Sequence, residues 1–516
     1  MINYNNLEKD TRFKDYSEFT QKILGYLNLS DMQVEQLLTP RYQVCEDIII
    51  DDVIDFIKNS KKLMIFGDYD ADGVASTSIS IMIAKHLGIE DVGYYIPNRF
   101  DEGYGLNTEI VKASYLKGYS HLLLVDNGVK AHTEIEYAKS LGLKVAVVDH
   151  HLIEKPLDDV LLLHPDHLDG YFNTMCASGL MYLVAERLNF LTPKIKAYAA
   201  LATIADVMPL WNKNREIVKV GLEAMNEIPI ANIDALSKVR DYTAKDLAFQ
   251  VVPKINSVGR MADIVNMNTM VKYLLSDDEV LIQQYAKQVL NINDLRKNKG
   301  KTAKNIAIRQ VEDGPINIII DNSIHEGVLG IVANQVCNYT MKPAILLKRS
   351  GDVYKGSGRS NTISLKDLFS KINPDYFEAF GGHDFAFGMS VKSEMIESFI
   401  EDVETVVPTL PKKDIKQEAV LIDNVSISLL QELKQFEPFG EGFQLPMFAL
   451  EKPKSYKIIR LNGYGYKYIF DDFWLKDAVY FNTEISQNEL HRAQYLVGSF
   501  NIHPRFGLSF LLDMVK

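Results

Sequence analysis

The sequence predicts an α/β protein. A doubly wound parallel-sheet domain comes first, then a long helical connector, a second, smaller α/β domain and a C-terminal β-barrel. Three observations lead there. Between about residues 61 and 210, short apolar, largely β-branched runs alternate with helical stretches, as in a parallel sheet with crossover helices. A second alternation of the same kind starts near Ile316. The final stretch, 417–516, turns β-rich.

Taken in order, residues 1–50 read as a helical lead-in with few motifs. Within 51–215, runs 63–66, 92–96, 121–125, 145–148 and 160–163 read as strands, and 74–87, 108–117 and 131–141 as the helices between them. Residues 216–310 carry helical patterns and the connector. The connector's end is basic, with Arg296, Lys297, Lys299, Lys301, Lys304 and Arg309. That run reads equally as a solvated helix face or as a linker that tracks phosphates, and Gly300 argues against an unbroken helix. In 311–408, strands at 316–320 and 344–347 flank a helix that begins at 330–336. A Lys- and Pro-containing linker, 408–416, leads to strands at 464–470, 477–481, 495–500 and 508–512, read as a small barrel.

Bulk properties exclude several classes. A chain of 516 residues exceeds one core, so two to four domains are expected. Hydrophobic residues make up 47% and charged residues 24%, ordinary for a globular protein. No run approaches the roughly 18 apolar residues that span a membrane. The N-terminus lacks a basic-then-apolar signal pattern, and Cys45, Cys176 and Cys337 lie far apart without CxxC spacing. The expectation is a cytoplasmic protein without a structural zinc site. A net charge of -12 weighs against a protein that coats nucleic acid, yet it allows a local basic channel.

The chemistry lies in three clusters, each directly after an apolar run: Asp68-Tyr69-Asp70-Ala71-Asp72-Gly73, Asp126-Asn127-Gly128 and Asp149-His150-His151. Ligands of parallel sheets gather at the carboxyl ends of strands, so these clusters are expected to converge. Asp70 and Asp72 at a strand-to-helix turn both face an ion, with Gly73 permitting the tight turn. Asp126 is placed to bridge two ions. His150 offers an imidazole nitrogen and His151 a second one or a proton donor, while Asp149 orients a histidine. Asp206, after an apolar helical run, is placed to reach back. Oxygen and imidazole donors suit Mn²⁺ or Mg²⁺. Two ions roughly 3.5–4 Å apart suit in-line phosphoryl chemistry.

At these residues the chain resembles the DHH phosphoesterase superfamily. The three clusters resemble its first three motifs and Ala205-Asp206 its fourth. Gly381-Gly382-His383 and Gly356-Ser357-Gly358-Arg359-Ser360 resemble motifs of the companion DHHA1 domain. Within the superfamily the resemblance is to the RecJ family of single-strand-specific exonucleases. It rests on Ile96-Pro97-Asn98-Arg99 with Glu102-Gly103-Tyr104-Gly105, on Asn256-Ser257-Val258-Gly259-Arg260, on the basic connector, and on Pro438-Phe439-Gly440-Glu441-Gly442 leading into an OB-fold-like tail. Asn127 stands where the family often has Cys, and Asn256-Ser257 where it has Asn-Ala.

The resemblance implies two metal ions held by Asp70, Asp72, Asp126, His150 and Asp206, with Asp68 in or near the set. It implies His151 as a phosphate contact or acid. Arg99, Ser357 and Arg359 resemble a 5′-phosphate pocket, Tyr104 a base-packing aromatic, and Arg260 and His383 contacts to the phosphate being cleaved. Arg supplies a planar fork for phosphate oxygens, and Gly356 and Gly358 would let backbone N–H groups approach an anion. The implied partner is single-stranded DNA, acted on by a monomer; a single-strand-binding protein or a helicase are further candidates. The chain ends with the barrel, where several RecJ proteins carry a further domain used for partners. Two alternatives stand beside a 5′→3′ exonuclease of DNA repair or recombination. One is a phosphodiesterase of short oligonucleotides or cyclic dinucleotides; the other is a catalytically inactive scaffold.

Overall fold

The computed structural model describes residues 1–103, 105–412, 418–461, 465–481, 492–503 and 507–515. It divides into two compact units: Gln43–Met208 with Lys213–Ile415, and Met1–Tyr42 with Pro209–Asn212 and Lys416–Lys516.

The larger unit opens on a five-stranded parallel sheet. Its strands are Leu63–Phe66 (β1), Val92–Tyr95 (β2), His121–Val125 (β3), Lys144–Val148 (β4) and Leu161–Leu163 (β5), in the order β2-β1-β3-β4-β5. The apolar runs become strands because both faces are covered; every residue of β1 and β3 is buried. The strand order reverses beside β1, so the loops after β1 and β3 flank the point where such sheets place ligands. Helices Thr108–Leu116 and His132–Ser140 make crossovers close to the expected bounds. Helix Ala71–His86 is buried nearly all round. Ser78 and Ser80 keep that environment apolar by donating to Val74 and Ser76 carbonyls at 2.8 and 2.7 Å.

A 31-residue helix, Glu279–Arg309, runs unbroken through Gly300. Asp278 caps its first turn, accepting from Val280 and Leu281 N–H, and Ile282, Ala286, Val289, Asn293, Gly300, Ala303 and Ala307 form one buried stripe. Packing along that stripe outweighs the ~1 kcal/mol glycine penalty, which corrects the expectation of a break. A second five-stranded sheet follows: Asn317–Ile320 (β6), Ala344–Ser350 (β7), Val353–Arg359 (β8), Phe377–His383 (β9) and Ala386–Lys392 (β10), ordered β9-β10-β8-β7-β6. Only β6 and β7 run parallel. Helix Leu329–Thr340 lies between them in sequence.

The smaller unit joins both ends of the sequence. Ile2–Asn3 pairs in parallel with Ala419–Leu421, at one edge of an eight-stranded, mainly antiparallel sheet whose other edge is Tyr456–Arg460. Its core mixes Phe13, Phe19, Ile23 and Leu24 with Phe436, Phe443, Phe448, Leu496 and Phe510. Residues 1–42 therefore pack with the β-rich tail, where the sequence suggested a separate lead-in. Glu432 ties the two segments: its carboxylate accepts from Ser17 N–H at 2.8 Å and Thr20 Oγ1 at 3.0 Å. Among the described residues no helix is long and apolar enough to cross a membrane.

Phe13 is 1% exposed and meets Phe436 edge-on with ring centres 5.5 Å apart. Phe13→Ala is expected to cost about 3–5 kcal/mol, the range for large aromatic truncations. Urea unfolding followed by tryptophan fluorescence reads that loss, because Trp211 packs in the same core; an unchanged midpoint would contradict this packing.

Candidate metal centre

The three acidic clusters converge. Asp70 caps helix Ala71–His86, its Oδ1 accepting from Asp72 and Gly73 N–H at 3.0 and 3.1 Å. Asp72 is 1% exposed, and its two oxygens accept from Ala177 and Ser178 N–H at 2.8 and 2.9 Å, at the start of helix Ala177–Arg187. Both carboxylates thus sit at helix N-termini, where the dipole favours negative charge. Asp126 follows β3 in a left-handed backbone conformation, φ 60°, and its N–H donates to Val148 carbonyl at 3.0 Å. Asp206 ends helix Pro193–Ala205.

His150 gathers these elements. Its Nε2 lies 3.1 Å from Asp126 Oδ1, 3.2 Å from Asp206 Oδ2 and 3.9 Å from Asp72 Oδ2. The contact to Asp206 is close in distance without hydrogen-bond geometry, and Asp206 Oδ2 makes no hydrogen bond. Asp149, fully buried, organises the histidine pair: its oxygens accept from Val129 N–H at 3.0 Å, His150 N–H at 2.7 Å and His151 Nδ1 at 2.8 Å.

Donor atoms fall into three sets with mutual distances within 4.8 Å: Asp68, Asp70 and Asp126; Asp72, His150 and Asp206; and Asp126, His150 and His151. Asp126 belongs to two of them, as does His150. Burial pushes the Asp126 carboxyl well above the usual range, and Asp72, Asp70, Asp68 and Asp206 push it further. Burial, then Asp70, raises Asp68, whose Oδ1 is enclosed without a hydrogen bond. Burial, then Asp72 and Asp70, moves Asp206 up to about 8. Asp149 contrasts with these. Burial alone would raise it, but the hydrogen bond and charge of His151 hold it at about 2. Burial likewise opposes the His151 imidazolium, and Asp149 nonetheless lifts it to about 9. Enclosed carboxylates that repel one another, with orphaned oxygens and a buried imidazole, are a donor set for hard or borderline divalent cations. The residues fit two such ions sharing Asp126.

Beside the acids stand arginines. Arg99 lies over the Tyr69 ring, 5.2 Å from its centre. Arg260 ends helix Val252–Arg260. Burial lowers its guanidinium to about 10, with Arg99, Arg296 and Arg359 adding repulsion and Asp70 opposing it. Two glycines fix this segment by backbone contact. A Cβ on Gly259 would collide with the Tyr69 carbonyl, and one on Gly327 with the Arg260 carbonyl. Arg359 Nη1 donates to Ser357 Oγ at 2.9 Å, and both side chains pack against Gly330 of helix Leu329–Thr340. His325 joins the halves of the unit through Asp263, Nε2 to Oδ2 3.1 Å.

Several expectations need adjustment. Gly356 and Gly358 lie inside β8, paired on both sides; they make room for Leu347 and Leu365 side chains, so the free anion-binding N–H groups expected there are not formed. His383 is exposed at the end of β9, and among the described residues no hydrogen bond or ion pair links it to the acidic cluster. Tyr104 lies outside the described residues. Tyr69, Arg296 and His325 escaped individual notice in the sequence. Only Arg296 carried a signal, as one member of the basic run.

Residues 62–208 match the DHH family, N-terminal domain, and residues 303–408 match the DHHA1 domain. The chain is 31% identical over 407 residues to the single-stranded-DNA-specific exonuclease RecJ of Bacillus subtilis, covering 74% of this chain and 51% of that protein. It is 29% identical over 451 residues to its namesake in Salmonella typhimurium, covering 77% of each. The chain thus spans about half of the first relative and about three quarters of the second. Among solved structures, RecJ in complex with Mn²⁺ from Thermus thermophilus superposes with a TM-score of 0.79 at 23% identity, over 96% of this chain and 77% of that one. An exonuclease RecJ bound to manganese gives a TM-score of 0.61 at 28% identity, over 72% of this chain and 96% of that one.

The raised carboxyls set a pH dependence. Asp206 titrates near 3.8 when unfolded and at about 8 when folded. Across that window the folded, metal-free chain keeps a proton that the unfolded chain has lost, so its stability falls as pH rises. A cation replaces such protons and needs the ionised carboxylates. The gain in thermal midpoint on adding Mn²⁺ is therefore expected to grow with pH up to about 8; a gain independent of pH would contradict the assigned donor set.

Proposed function

The chain belongs to the DHH family, in the RecJ-type group that joins this domain to DHHA1, and we propose that it is a metal-dependent exonuclease hydrolysing single-stranded DNA from the 5′ end. The observation that carries this reading is Asp126 shared between two cation donor sets, with arginines alongside. Acids that concentrate cations next to guanidinium groups that donate to phosphate oxygens are suited to phosphodiester hydrolysis.

In this reading Asp68, Asp70, Asp72, Asp126, His150 and Asp206 hold two Mn²⁺ or Mg²⁺ ions, which supply a nucleophile and neutralise phosphate charge when bound. Asp149 holds His151 protonated through the 2.8 Å contact, ready to donate to a phosphate oxygen. Arg260 takes the reactive phosphate, and Arg99, Ser357 and Arg359 the terminal 5′-phosphate. Tyr104 and His383 are kept as further substrate contacts. Tyr69 positions Arg99 by the ring contact described. Residues 51–215, 311–408 and 417–516 serve as catalytic, substrate-holding and strand-binding domains. Single-stranded DNA is the partner of a cytoplasmic monomer, with a single-strand-binding protein or helicase as accessory contacts in repair or recombination.

Digestion of end-labelled strands in Mn²⁺ tests this. The wild type is expected to shorten a 5′-phosphorylated single strand and to spare duplex. Asp126→Ala is expected to lose at least about a thousandfold in rate, on the scale of removing a principal electrostatic contributor. Arg359→Gln is expected to lose the preference for 5′-phosphate over 5′-hydroxyl. Full activity of Asp126→Ala would sink the mechanism.

A further inference from the structure

One cation of the long helix has a setting unlike its neighbours. Lys297 and Lys301 are exposed on Glu279–Arg309, and Arg296, Lys299 and Lys304 on the same helix are half-buried. Arg296 Nε is enclosed and makes no hydrogen bond. Its Nη2 donates to Asn293 Oδ1 at 2.9 Å, and Asn293, one turn earlier, is only 2% exposed. Asn293 is neutral, so it orients the guanidinium without neutralising it. Among the described residues no carboxylate lies within ion-pair distance of Arg296, whereas Lys297 approaches Asp294 at 3.8 Å.

Enclosing part of a guanidinium without a counter-ion is costly, and an arriving anion would offset that cost. Helix Val252–Arg260 packs against the long helix: Val258 lines a small cavity with Val289 and Ile292, the latter one turn before Arg296 on the same face. Burial lowers Arg296's hold on its proton, and Arg296 in turn disfavours the charge on Arg260. Arg359 answers instead to burial and Arg99. Arg260 thus feels the charge of Arg296 as well as that of Arg99 and Arg359.

We propose that Arg296, oriented by Asn293, binds a backbone phosphate of the substrate strand one or more nucleotides beyond the phosphate held by Arg260. The proposal rests on the nuclease reading above and extends it with a phosphate-binding residue on the helical connector. A planar fork on a phosphate reads no base, so the contact is independent of sequence.

The experiment is steady-state kinetics of the full chain and its Arg296→Gln and Arg296→Lys variants in Mn²⁺. Substrates are the 5′-phosphorylated oligothymidylates of two, three and twenty nucleotides; any that resists cleavage is scored as a competitor of the longest. Arg296→Gln is expected to raise KM for the 20-mer by about tenfold, one charge-assisted contact's worth, with a smaller change in kcat. The slope of log(kcat/KM) against log salt should flatten by about 0.7, one phosphate on a single strand. The dinucleotide, which has only a terminal and a reactive phosphate, should feel no penalty. Preference for 5′-phosphate over 5′-hydroxyl should be unchanged, and Arg296→Lys should recover part of the KM loss. Unaltered thermal midpoints separate a lost contact from a lost fold. An unchanged KM and salt slope in Arg296→Gln beside an active wild type overturns the proposal alone, as does an equal penalty on the dinucleotide or a lost 5′-phosphate preference. A wild type inert on every strand overturns the nuclease reading together with it.

Discussion

Repulsion among enclosed carboxylates is the constraint around which the larger unit is arranged. Parallel strands deliver Asp68, Asp126 and Asp149 to one edge of a sheet, and helix ends add Asp70, Asp72 and Asp206. The fold quiets some of this charge. Asp72 accepts from two N–H groups at a helix start, Asp70 from two of its own helix, and Asp149 from backbone N–H groups and from His151 Nδ1, which keeps its proton. What is left over sits on Asp68, Asp126 and Asp206, the groups pushed furthest toward protonation. The part of the charge that the backbone does not absorb is the part that cations are suited to absorb.

Charge of the opposite sign is supplied from other elements and held by main-chain contact. Gly259 presses on the backbone of Tyr69, inside the first acidic motif, and the next residue, Arg260, presses its carbonyl on Gly327, beside the second sheet. Three segments far apart in sequence are thereby joined with no side chain between them. A short backbone joint of this kind limits how far acids and arginines can shift apart, where a misplacement of about 1 Å would already be costly in rate.

Much of this was legible in the sequence. Buried parallel strands leave near-continuous apolar runs, so β1, β3 and β4 announced themselves and put the acidic clusters at their ends. Asp206 was legible for a related reason, an apolar helix running into a proline-bounded turn. Other features depended on tertiary partners. Gly300 suggested a broken helix because propensity is local, while the buried stripe that holds Glu279–Arg309 together is not. Gly356 and Gly358 suggested an anion loop because glycine in a short motif reads the same way whether it frees an N–H or admits a leucine. Arg296 was hidden among lysines of like charge, and only its enclosed Nε, which makes no hydrogen bond, distinguishes it. Residues 1–42 carried helical patterns but no trace of the strands they join.

That last arrangement has a kinetic side. Ile2–Asn3 closes onto Ala419–Leu421, and Phe13 and Phe19 complete a core built mostly from the far end of the chain. On a ribosome adding ~5–20 residues per second, those first aromatic side chains wait roughly twenty seconds to over a minute for their partners. During that interval the catalytic sheet has already been synthesised and is free to form around a leading segment that has nowhere to fold. The nascent chain thus carries an early, unburied apolar stretch past the synthesis of the parallel sheet.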